Sequence, residues 1–134
     1  MKTAFATSDN KTVNDHFGWC RQFAIYDVTP ADYTFLMMRD VPEGGDDEVD
    51  KIDKRIAAIK DCAIVYCSQI GPVAAARVIR QRIHPIKVAQ PEPIDDVLNK
   101  MVEVLKKPPI WLRKILERET YIPSPLAGEG QGEG

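Results

Sequence analysis

No apolar run in the sequence comes near the roughly 20 residues that a helical membrane span requires, and the opening MKTAFATSDN lacks the apolar core of a secretory signal. A cytoplasmic location without a membrane partner is the expectation. Cysteine is scarce: Cys20, Cys62 and Cys67 are an odd number of thiols and form no CxxC pair. That argues against a disulfide framework, and it falls short of the four thiolates that hold a fixed iron–sulfur centre. Neither sign of charge is in excess, since 18 Lys and Arg face 20 Asp and Glu. The chain therefore has no global basic field, and nucleic acid is not an expected partner.

What remains is an ordinary globular composition. With 134 residues, 44% hydrophobic and 28% charged, the chain suits one domain. Residues 3–7 read as a short buried strand. Residues 22–28 (QFAIYDV) and 33–38 (YTFLMM) are β-branched and aromatic, and the turn signal TPAD between them makes them a hairpin. From Asp46 the period changes: Val49, Ile52, Ile56 and Ile59 recur at helical spacing behind an acidic first turn. Residues 63–66 (AIVY) then read as a strand, and Gly71-Pro72 opens a second helix with Val73, Ala76, Ile79 and Ile83 as its apolar face. A fifth strand over residues 85–88 follows. A third helix over residues 94–105 ends before Pro108-Pro109, and a last helix covers residues 110–118. Strands joined by crossover helices give an α/β fold with a mixed sheet. Residues 1–118 form the domain, and residues 119–134, rich in Gly and Pro, read as a disordered tail.

Chemistry concentrates in two loops. Residues 13–20 (VNDHFGWC) combine an imidazole, a thiol, a glycine and two large aromatics between the first two strands. His16 offers a neutral nitrogen to iron, and Cys20 offers a thiolate if a metal or a nearby cation lowers its pKa. The alternative is that Phe17 and Trp19 plug the core while His16 hydrogen-bonds the loop. The second loop, residues 67–72 (CSQIGP), joins the fourth strand to its helix. Ser68 and Gly71 stand there at the carboxyl end of a strand, where open α/β sheets usually bind ligands and a helix N-terminus presents free N–H groups. Gly71 and Pro72 equally suit a plain helix start. Cys62 and Cys67 are an odd number of residues apart, so an unbroken strand would point them to opposite faces, and Cys62 reads as a buried apolar residue. His84, before Pro85, reads as a residue that packs or hydrogen-bonds locally. The basic residues Arg77, Arg80, Arg82, Lys106, Lys107, Arg113, Lys114 and Arg118 read as solvated faces.

HFGWC at 16–20, SQIGPVAAARVI at 68–79 and PPIWLRKIL at 108–116, in that order, resemble the dinitrogenase iron–molybdenum cofactor biosynthesis family over about residues 1–118. The tryptophan-containing last helix is similar to one branch of its members. The resemblance implies a ribonuclease-H-like fold with a five-stranded mixed sheet, and a domain that binds an iron–sulfur precursor of the iron–molybdenum cofactor and passes it between assembly proteins, a cluster-synthesising enzyme and a scaffold. It implies His16 as the cluster-binding position; Cys20 has no equal warrant from the family. The expected role is a carrier rather than an enzyme. Nuclease chemistry would need clustered carboxylates, and Asp27 and Asp40 form no such group. Two rivals stand beside this reading: an interaction module in which His16 is structural, and a regulator that works through its thiols.

Overall fold

The computed structural model describes residues 1–43 and 47–120. The elements in chain order are β1 (Lys2–Ala6), β2 (Thr12–Val13), β3 (Gln22–Val28), β4 (Tyr33–Asp40), α1 (Glu48–Ala58), β5 (Ile64–Cys67), α2 (Pro72–Arg80), β6 (His84–Lys87), β7 (Glu92–Pro93), α3 (Ile94–Lys106) and α4 (Ile110–Thr120). Five strands form one sheet in the order β4-β3-β1-β5-β6, with β3 antiparallel to both β1 and β4, and β5 parallel to both β1 and β6. The architecture is the expected α/β mixed sheet. The tail expected over residues 119–134 lies outside the described residues from 121 onward, and residues 119 and 120 complete α4.

Both sheet faces are covered. On one, Phe5, Ile64 and Tyr66 meet α3, which buries Ile94, Val97, Leu98, Met101, Val102 and Leu105, and α4, which adds Leu112 and Ile115. Each large apolar side chain contributes about 1.5–3 kcal/mol before the entropy of ordering is subtracted. On the other, Ala4, Ala6, Val65 and Cys67 meet α1 and α2. α1 starts where its capping chemistry dictates: the Asp47 carboxylate accepts the Asp50 N–H at 2.9 Å, and Glu48 and Asp50 occupy the first turn.

Several expectations change. α2 buries Ala74 and Val78, whereas Val73 and Ile79 are exposed, Ile79 by 59%. The helix ends at Arg80, Arg82 takes a left-handed φ of 65°, and the chain doubles back so that Ile83 packs outside the helix. Continuing a helical period through Ile83 had therefore selected the wrong face. Val49 is likewise exposed. Cys62 and Cys67 share one core cluster, because the strand begins only at Ile64 and two-residue alternation does not extend back to Cys62. A second small sheet, β2 against β7, had no strong sequence signal at two residues per strand.

Candidate functional site

The two loops singled out from the sequence lie side by side. The Phe17 N–H donates to the Gln69 carbonyl at 2.8 Å, the Ser68 N–H donates to the Asp15 carbonyl at 2.9 Å, and His16 and Gln69 form a parallel bridge. This short ladder lies beyond the carboxyl ends of β1 and β5, which are parallel neighbours. Phe17 is fully buried and anchors the loop against Phe23, with ring centroids 5.9 Å apart. Trp19 does not plug the core: it is 77% exposed and stacks on His16 at 4.5 Å with a 17° interplanar angle.

A cavity of about 740 Å³ opens between this loop, the segment after β4, the start of α1 and the start of α2. That volume is within the usual range for small-ligand sites. His16, Gly18 and Trp19 form one wall and Gly71 and Ala74 another, with Ile52 and Arg55 of α1 between them. At Gly71 a Cβ would meet nothing within 4 Å, so glycine is not required there by crowding. Gly71 also provides no side-chain cap to α2. The rim carries exposed charges of both signs: Arg21, paired with Glu43 at 2.8 Å, and Asp47, Glu48 and Lys51.

The imidazole of His16 is held in a defined way. Its Nδ1 accepts the Gly18 N–H at 2.9 Å, which puts the proton of the neutral ring on Nε2. In this state the ring offers a hydrogen-bond donor at Nε2 rather than a lone pair. Ligation through Nε2 requires the proton to leave or to move to Nδ1, and either ring nitrogen becomes a ligand only with a change in the ring or in the Gly18 contact. Giving up that hydrogen bond costs on the order of 0.5–1.5 kcal/mol, which suits exchangeable rather than permanent binding.

Cys20 is placed differently from the sequence expectation. It is 1% exposed, its Sγ donates to the Phe17 carbonyl at 3.4 Å, and it does not line the cavity. A cation is nearby, but burial outweighs it and pushes the thiol up to about 12. Burial likewise pushes Cys62 up to about 12 and Cys67 up to about 11. At neutral pH all three stay protonated. Ser68 is half-buried and participates through its backbone; its side chain does not line the cavity. Among the described residues, no group of three or more His, Cys, Asp or Glu is placed to hold a metal ion. His84 stacks on Trp111 at 4.6 Å, which fits the packing role expected of it.

The sequence reading overlooked Arg55. Its signal was present: Arg55 lies on the stripe defined by Ile52, Ile56 and Ile59, where a charged residue interrupts an apolar face. The residue is only 9% exposed. Its Nε and Nη2 donate to the Cys20 carbonyl at 3.1 and 2.8 Å, and its Nη1 donates to the Lys51 carbonyl at 2.9 Å.

Among known proteins, the family described as "dinitrogenase iron-molybdenum cofactor" matches residues 1–104. The chain is 47% identical over 123 residues to Protein NifX of Herbaspirillum seropedicae, covering 88% of this chain and 83% of the relative. It is 34% identical over 120 residues to Protein NifX of Azotobacter vinelandii, covering 88% and 76%. A solved structure of a putative dinitrogenase from Methanocaldococcus jannaschii has the same fold, with a TM-score of 0.55 at 13% identity over 78% of this chain and 90% of that one.

Proposed function

Because the chain belongs to the dinitrogenase iron–molybdenum cofactor family and is NifX-like, we propose that it is a cytoplasmic carrier, not an enzyme, that transiently binds an iron–sulfur precursor of the iron–molybdenum cofactor and transfers it between assembly proteins. Its relatives NifX, NifY and NifB support a role in biosynthesis of that cofactor. The donors are a cluster-synthesising enzyme and the recipients a scaffold or the next assembly protein. The sheet order β4-β3-β1-β5-β6 supports the ribonuclease-H-like fold that the family resemblance implies.

The observation that carries the reading is the meeting of His16 and Gly71, from two distant loops, on one cavity of about 740 Å³. His16 ligates one iron after releasing the Gly18 N–H, and the freed amide then faces the sulfides. Trp19 shields one face of the imidazole, and the start of α2 offers backbone N–H groups to an anionic cluster. One protein ligand with no thiolate holds the cargo weakly, as handover requires. Cys20, 1% exposed and off the cavity wall, is left out of the ligand set.

Anaerobic loading of the apo-protein with isolated precursor, followed by gel filtration and iron analysis, tests this. Wild type should retain iron, and folded His16→Ala should lose most of it. Equal retention by both would move the ligand away from His16. No retention by wild type would favour the interaction-module reading, which the exposed Trp19 also supports.

A further inference from the structure

Buried arginines normally face a carboxylate, because an uncompensated charge out of water costs several kcal/mol. Arg55 has no such partner among the described residues. Its three hydrogen bonds go to two backbone oxygens, those of Cys20 and Lys51. A guanidinium has five N–H groups, so two have no partner among the described residues, one on Nη1 and one on Nη2. The residue lines the cavity shared by His16 and Gly71. An apolar side chain would have continued the Ile52–Ile56 stripe without desolvating a charge, and a clasp between α1 and the Cys20 loop does not require a full cation.

We infer that Arg55 is the anion-receiving group of this cavity, its two remaining N–H groups taking a bidentate oxyanion carried by the cargo. The two carbonyls fix the plane of the guanidinium, so the fork is oriented before the ligand arrives. Burial keeps it from the salt screening that weakens the rim charges Arg21 and Lys51. The cargo therefore has two distinct handles: an iron for His16 and an oxyanion for Arg55. The identity of the cargo rests on the carrier reading above, whereas the anion site belongs to the apo-protein and is tested there.

Apo-protein at low ionic strength is titrated calorimetrically with inorganic sulfate. Wild type and the distant surface variant Arg80→Gln should show saturable one-site binding, and Arg55→Lys, which keeps the charge but loses the planar fork, should bind about tenfold more weakly or worse. Absence of binding by wild type, or equal binding by Arg55→Lys, overturns the inference. Should Arg55→Lys fail to fold, nuclear magnetic resonance of wild type decides: sulfate should shift the Arg55 Nε–H resonance selectively over that of Arg80, and an unselective shift overturns the inference. Sulfate binding without cluster retention would leave the anion site standing and remove the carrier; cluster retention without sulfate binding would do the reverse.

Discussion

On one face of the sheet, α3 buries six apolar side chains on a continuous stripe and α4 adds Leu112 and Ile115. On the opposite face, α1 buries Ile52, Ile56 and a guanidinium, and α2 buries only Ala74 and Val78. The two helices of that face bury few large side chains, and the larger cavity opens beside them. The α1–α2 face carries the candidate ligand, a cation with no carboxylate partner among the described residues, and all three thiols. Stability and chemistry are thus divided between the two faces, and substitutions on each should separate them.

The largest effect on stability should come from the α3–α4 face. Leu98 is fully buried, so Leu98→Ala should cost about 2–5 kcal/mol, because a cavity replaces packed methyl groups. Chemical denaturation measures this, and iron retention by the folded fraction should stay at the wild-type level. A loss of retention equal to that of His16→Ala would break the division.

A smaller effect belongs to the sheet edge, where Arg39 donates to Asp61 with Nη2 to Oδ2 at 2.9 Å, and Lys2 donates to the same carboxylate at 3.0 Å. The Arg39 guanidinium holds the Asp61 carboxyl well below its usual range. The Asp61 side chain is 42% exposed, so solvent screens the pair and it is worth about 0.2–1 kcal/mol. The folded-state pKa is depressed, so this stability is fully present above the unfolded value near 4 and is lost as pH falls toward the folded value. Asp61→Asn should therefore be less stable than wild type at neutral pH, and the gap should close in acid. A gap that is independent of pH down to about 3 would overturn the assignment.

The smallest effect tests α2. Ile79→Ser removes an exposed side chain and should change stability by no more than about 0.5 kcal/mol. A cost comparable to that of Leu98→Ala would restore Ile79 to the core and contradict the face on which α2 packs.

Long amphipathic segments were legible in the sequence. α3 emerged with its whole buried stripe, and the hairpin of β3 and β4 followed from its residues and turn signal. α2 was misread because its nine residues contain apolar side chains on more than one side: Val73, Ala74, Ala76, Val78 and Ile79 allow two stripes, and only the position of the sheet selects between them. Both chemically marked loops were visible, but Cys20 and Trp19 exchanged environments relative to expectation. Period gives no guidance in a turn, where each side chain's direction follows from local hydrogen bonds such as those from Trp19 and Cys20 N–H to the His16 carbonyl.

By itself the sequence determined the five strands of the main sheet, the four helices, their order and the two loops rich in chemistry, because these follow from local periodicity and turn residues. The tertiary structure alone decided that residues 15–17 pair with 68–69, that Cys62 and Cys67 share one core cluster, and that Arg55 sits buried on a cavity wall with no carboxylate partner among the described residues. Each of these depends on contacts between residues far apart in the chain, whose burial exists only once the sheet has brought the segments together.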